Sequence, residues 1–241
     1  MTSLQNIITT MNDWAPEDTA EDWDNVGLQV HTQRDIEHVG VALELNIDTW
    51  DIIADQNYDL IITHHPLIFK PLYHINGQEW GHGVLKALIK KDTGLYVSHT
   101  NLDRADAGVS HALAVQYGLG DEATEALIDG YGRVARFSEP YDLDKLDEYG
   151  PAMAKICPPD LEVNSIAFCG GSGKSFVQPV IDQNISVLVT GELGYHDIQH
   201  LRQQGVGVVL LGHYQSEICI LDAIQERIQA IDTTVAVDII K

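Results

Sequence analysis

Basic residues are scarce in this chain. Against 36 aspartates and glutamates stand 14 lysines and arginines, a formal net charge of -22, so phosphate backbones and anionic membranes are repelled over most of the surface. That balance argues against nucleic acid as a direct partner and reads as a solubilising surface or an adaptation to salt, with a few carboxylates diverted to cations. Cysteine is scarce too. Cys157, Cys169 and Cys219 are odd in number, widely spaced and in no C-x-x-C pair, which suggests neither a disulfide framework nor a thiolate zinc site and suits a reducing cytoplasm. No apolar run approaches the ~18 residues needed to span a bilayer. The stretch "MTSLQNIITTMNDWAPED" has no basic segment followed by an apolar one, so a soluble, unexported protein without a membrane partner is expected. Repeats of fixed period, low-complexity tracts and long Gly/Ser linkers are also missing.

What the chain does have is 241 residues, 44% of them hydrophobic, enough for one large domain or two small ones. Short runs of Val, Ile and Leu alternate with longer amphipathic segments, the pattern of βα units around mostly parallel or mixed sheets, an α/β fold. Strands are expected near "VGLQV", "HVGVALEL", "LIITH", "LYVSHT", "GRVARF", "SIAFCG", "SVLVTG", "GVVLLGH" and "TVAVDII". Helices are expected at 3–13, 47–57, 82–92, 108–117, 142–156, 175–182, 195–204 and 215–230. The dense acids of "EPYDLDKLDEYG" and the Gly150-Pro151 break suggest two α/β domains, 1–125 and 126–212, with 213–241 able to return to the first.

The chemistry concentrates where apolar runs end. In "DLIITHHPLIFKPL" two adjacent imidazoles close a strand, although successive side chains on a strand point to opposite faces. Pro66 removes a donor and keeps His65 extended, so the strand ends there, at the carboxyl edge where ligands of open α/β sheets bind. "LYVSHTNLD" places His99 and Asp103 beyond its strand, and "GVVLLGHYQSE" does the same for His213. In a helix begun near Tyr214, His213 and Glu217 are four apart and share a face. One histidine at a strand end is more often a hydrogen-bonded or surface residue than a ligand. The set His64, His65, Asp103, His213 and Glu217, however, is three neutral nitrogen donors with two carboxylates, suited to Zn, Fe, Mn or Co rather than Ca. It exceeds the three protein ligands of a usual single catalytic zinc and favours two ions ~3.5–4 Å apart.

These residues carry a resemblance. "WDNVGLQV" (23–30), "ITHHPLIFKPL" (62–72), "VSHTNLD" (97–103), "CGGSG" (169–173), "TGELGYHD" (190–197) and "GHYQSE" (212–217) resemble, in order and rough spacing over nearly the whole chain, the GTP cyclohydrolase I type 2 homologue family, also called Nif-three-like proteins. The resemblance implies two α/β domains with a dimetal site in the cleft between them, two divalent ions held by the same five residues, and assembly as a homohexamer. It also implies a short form without the domain that longer relatives insert in the middle. Gly194 and Tyr195 depart from the family, which often has Lys or Ser and usually has His at these places.

"CGGSGKSF" invites a phosphate-loop reading, but counting back from Gly173 puts Phe168 where the G-x-x-x-x-G-K-[ST] pattern requires glycine, so a tight strand-to-helix turn is the alternative. His99 reads as a residue orienting a metal ligand or as an ordinary polar strand end. Glu192 and His196, near the end of "SVLVTG", are candidate proton donors or substrate contacts. The functional expectation is a dinuclear metal hydrolase whose metal-bridging hydroxide attacks an amide-type or phosphoester bond of a nucleotide or other small heterocycle, GTP cyclohydrolase-like ring opening being what the resemblance implies. The alternative is a non-enzymatic iron or zinc carrier or regulatory interaction protein.

Overall fold

The computed structural model describes residues 2–77 and 79–241. Along the chain lie α1 (Leu4–Trp14), β1 (Gly27–Val30), β2 (His38–Ala42), α2 (Ile47–Ile53), β3 (Leu60–Thr63), α3 (Trp80–Lys91), β4 (Gly94–Val97), α4 (Thr100–Arg104), α5 (Val109–Gln116) and β5 (Ala123–Glu125). There follow β6 (Arg133–Arg136), β7 (Ala154–Ile156), β8 (Ser165–Ser172), α6 (Val177–Asp182), β9 (Val187–Glu192), α7 (Tyr195–Gln203), β10 (Gly207–Leu210), α8 (His213–Glu217), α9 (Ile220–Ile231) and β11 (Ala236–Ile240). The chain is α/β and forms two units, Met1–Leu102 with Leu221–Lys241, and Asp103–Ile220.

The first unit holds a sheet of order β1-β4-β3-β2-β11. Strands β4, β3, β2 and β11 run parallel, and β1 is antiparallel to β4. Every residue of β3 and β4 is buried, as a parallel strand covered on both faces requires. Ile61, Leu95, Val97, Val84, Leu85 and Leu88 share one core, each such side chain contributing about 1.5–3 kcal/mol by leaving water. Helix α2 starts on a capping box, the Asn46 side chain accepting from Thr49 N while the Thr49 hydroxyl faces the Asn46 amide.

The second unit holds a mixed sheet of order β5-β6-β8-β9-β10-β7, parallel only through β8, β9 and β10. Ile166 and Phe168 enter one core and Ala167 and Cys169 another, so the period-two alternation of the strand fills both faces of the sheet.

All nine expected strands are present. The helix expected at 142–156 is not: residues Leu143–Glu148 make a 3-10 turn and Ala154–Ile156 pair antiparallel with β10. Gly150, at φ 149°, and Pro151 break the segment, and the strand completes an open edge of the sheet. The segment expected as one helix at 215–230 is two, α8 and α9, and short α4, β5 and β7 are additions. The two units meet along the chain at 102/103, and α5 packs on β8. The segment grouped with the first unit begins at Leu221, and α8 packs on β8 and β9.

Candidate functional site

In the first unit three parallel strands end side by side, and each is followed by a side chain with a lone pair: Glu44 after β2, His64 and His65 after β3, His99 after β4. The β1–β4 register pairs Gly27 with Val97, which brings the residues before β1, Trp23 and Asp24, to that same edge. Leaving the strand, the chain at His65 is held by His65 N–H donating to Leu43 O (2.8 Å) and by the Thr63 hydroxyl donating to His65 O (2.9 Å).

The rings of His64, His65 and His99 lie 5.0, 5.1 and 5.4 Å apart pairwise, and one nitrogen from each falls within 4.8 Å of the others. Every ring is oriented from behind by an oxygen. His64, fully buried, donates from Nδ1 to Ser98 O at 2.9 Å; a carbonyl only accepts, so the proton is on Nδ1 and the ring lone pair on Nε2. His65 Nδ1 meets Glu44 Oε2 at 3.2 Å, and Glu44 is itself steadied by the Nδ2 of the helix-capping Asn46 (2.9 Å). His99 Nδ1 meets Asp24 Oδ1 at 2.9 Å. The Asp24 carboxylate is fully buried and accepts also from the backbone and hydroxyl of Thr100. Burial alone would raise its pKa, but the hydrogen bonds from His99 and Thr100 and the attraction of the imidazole outweigh it and hold the group well below the usual carboxylate range.

The second unit repeats the plan with other chemistry. Its parallel strands β8, β9 and β10 lead to Gly171, Glu192 and His213. Gly212, at φ 95°, turns the chain into α8, where His213 Nε2 lies 3.2 Å from Glu217 Oε2 and His213 Nδ1 lies 3.3 Å from Glu192 Oε1. The hydrogen bond to Glu217, against a smaller opposing effect of burial and with help from Glu192, pushes the His213 pKa up to about 9. Glu217 is almost completely buried. It fits because Gly171, at φ 61°, has no side chain: a Cβ there would stand 2.2 Å from Glu217 Oε1 and 3.3 Å from His213 Cε1. Gly171 N–H donates to the buried Ser216 hydroxyl (2.9 Å), which donates to His213 O (2.8 Å). The glycines of "CGGSG" thus admit a carboxylate, and their amide is spent within the protein rather than offered to a phosphate.

The family model described as Duf34/NIF3 (NGG1p interacting factor 3) matches residues 2–241. The chain belongs to the Duf34/NIF3 family. It is 31% identical over 225 residues to GTP cyclohydrolase 1 type 2 of Helicobacter pylori, an alignment covering 90% of this chain and 88% of that one. Among solved structures, reduced HcgD from Methanocaldococcus jannaschii is 28% identical with a TM-score of 0.82, covering 100% of this chain and 98% of that one. The Staphylococcus aureus hypothetical protein SA1388 shares the fold at a TM-score of 0.84 and 24% identity, covering 99% of this chain and 96% of that one. No helix among the described residues of this Duf34/NIF3 protein is long and apolar enough to cross a membrane.

Of the residues singled out in the sequence, His64 and His65 stand together in the first unit, and His213 and Glu217 in the second. Asp103, the first residue of the second unit, is half-buried on α4, where its charge adds to burial in raising the pKa of the Cys169 thiol. His99 is an equal third member of the histidine cluster. Glu192 is engaged with His213, and His196 is exposed at the start of α7, edge-on to Tyr195 at 5.4 Å. Asp24, Glu44 and the Ser98 carbonyl were not anticipated. Glu44 was within reach of sequence reasoning, since "HVGVALEL" ends in a carboxylate as its neighbours end in histidines; a backbone carbonyl leaves no such signal.

Proposed function

We propose that this protein is a metal-dependent hydrolase binding two divalent ions, of Zn, Fe, Mn or Co, through His64, His65, Asp103, His213 and Glu217. The observation that carries the reading is the histidine cluster of the first unit, in which every Nδ1 is held by an oxygen: histidines that ligate metals have that partner behind them, fixing tautomer and ring direction. The donor chemistry fits, imidazole nitrogen and carboxylate oxygen without thiolate being suited to borderline and hard divalent ions. Bound there, such ions supply a water of lowered pKa and polarise the bond it attacks.

The chain's own groups do the rest. His99, braced by Asp24, stands against His64 and His65, in position to take or supply a proton. Glu192 holds His213 by Nδ1, an orienting role added to its candidacy as a proton donor, and His196 is the more exposed candidate. The substrate is a small molecule carrying an amide-type or phosphoester bond, a nucleotide or another heterocycle, and the protein works as a cytoplasmic homohexamer. A metal carrier or regulatory interaction protein is the second reading, favoured by the 41% exposure of the His213 side chain, which suits an ion that enters and leaves.

The test is elemental analysis of the purified protein, followed by incubation with a panel of nucleotides and cyclic amides. Two ions per chain and turnover abolished by His64→Ala support the hydrolase. Full metal with no turnover on any panel member favours the carrier, and less than one ion per chain after reconstitution sinks both.

A further inference from the structure

Trp23 and Phe69 are 58% and 43% exposed, yet the backbone beneath each is tightly held. Next to Trp23, Asp24 is locked to His99 and Thr100. Next to Phe69, Ile68 has both backbone groups occupied: its N–H donates to Gln29 Oε1 (2.9 Å), and its carbonyl accepts from Gln29 Nε2 (3.0 Å) and from Asn25 Nδ2. The two rings meet edge-to-face at 5.9 Å, and Trp23 meets His99 in the same way at 6.2 Å. Two aromatic rings are therefore fixed in solvent in contact with the histidine cluster. Exposed aromatics held by a polar scaffold beside convergent nitrogen donors are the makings of a ligand seat.

We propose that Trp23 and Phe69 seat the planar heteroaromatic ring of the substrate, so that this protein recognises its ligand by the ring and not by phosphate. The inference rests on the hydrolase reading only in calling the ligand a substrate. A ring stacked on Trp23 lies beside His99, and stacking on an aromatic face tolerates any π-system of suitable size. Apart from any bound ions, the chain's own side chains near the seat offer a phosphate chain little charge. Lys70 is the sole lysine or arginine between Arg34 and Lys86 in a chain of net charge -22. Two rings are also far less than the ~800 Å² per partner of a stable protein interface. Leu72, Tyr73 and Ile75 are exposed further along the same loop, so a second copy of the chain is the rival occupant.

The experiment is calorimetric titration of the protein, as purified and after metal removal, with guanosine, GTP and inorganic triphosphate. In the metal-free protein, guanosine and GTP should bind within about threefold of each other and triphosphate not at all. Trp23→Ala should weaken guanosine about tenfold or more, with Trp23→Phe keeping most of the affinity and metal content unchanged in both. The proposal is overturned if neither ring compound binds, if Trp23→Ala binds guanosine as the wild type does, or if triphosphate displaces GTP from the metal-free protein. It is equally overturned if Trp23→Ala changes only the oligomeric state, which gives the patch to a second copy. Absence of metal with Trp23-dependent guanosine binding would remove the hydrolase reading and leave the seat standing.

Discussion

The two units place polar side chains at the same position, the carboxyl edge of three adjacent parallel strands, and fill it in opposite ways. In the first unit three imidazoles are each backed by one oxygen, a carbonyl or a carboxylate. In the second a single imidazole lies between two carboxylates. The first arrangement gathers one ring nitrogen from each of the three imidazoles within 4.8 Å of one another. The second holds a proton, because two acids raise the affinity of His213 for it. One edge of this fold therefore gathers imidazole nitrogens, and the other holds one imidazole between two acids. The contrast arises from which residue follows each strand.

The sharpest way to break the comparison is to spoil one edge alone. Gly171→Ala puts a Cβ within 2.2 Å of Glu217 Oε1 at a backbone angle that side chains rarely adopt. The left-handed backbone costs about 1–2 kcal/mol, and Glu217 must also move. Gly205→Ala supplies the control: it has φ 80° with nothing within 4 Å, so it carries the backbone cost without the collision. We expect Gly171→Ala to lose at least one bound ion per chain and to unfold at lower urea, and Gly205→Ala to keep its metal with the smaller stability loss. Equal metal content in the two variants would show that Glu217 does not depend on the glycine.

A second variant tests the other edge from behind. Asp24→Asn keeps the shape but removes the charge that braces His99, and it sets an amide against donors from Thr100. Loss of a carboxylate behind an imidazole costs on the order of 10–100-fold in metal affinity where that imidazole ligates. It also costs about 1–3 kcal/mol for the unsatisfied buried group. The pH dependence has a definite sign: a carboxyl held below its unfolded pKa of about 3.9 stabilises the fold above that pH and loses the contribution as pH falls further. The wild type should thus exceed Asp24→Asn in denaturant midpoint at pH 7, with the gap closing only below about pH 4. A constant gap through that range would remove Asp24 from the account.

The histidines at the strand ends were legible in the sequence because apolar runs stop abruptly there: "LIITHH", "LYVSH" and "VVLLGH" each announce a strand and the residue at its end. The braces were not, because Asp24 reaches His99 across 75 residues and the Ser98 carbonyl has no side-chain identity. The helix expected over 142–156 misled because "LDKLDEYG" has helical charge spacing, while the pairing that draws Ala154–Ile156 into β10 is long-range. Nothing between Glu217 and Ile220 marks the break that separates α8 from α9; Ile218 ends α8 with ordinary helical angles.

The smallest expected effect separates the two edges most directly. In metal-free protein followed by NMR, the His213 imidazole should titrate near 9, and Glu217→Gln should move it down toward the ordinary value of about 6.5. A histidine with a raised folded pKa stabilises the fold fully below its unfolded pKa and loses that contribution as pH rises through the folded one, so this gain belongs below pH 6.5 and disappears by about pH 9. Any ion bound there must displace the proton, and affinity at this edge should therefore climb between pH 7 and 9. Glu192→Gln should move the titration less, because Glu217 is the larger cause. If Glu192→Gln moved it more, the edge would be organised from β9 rather than from within α8, and the four-residue spacing of His213 and Glu217 would lose its significance.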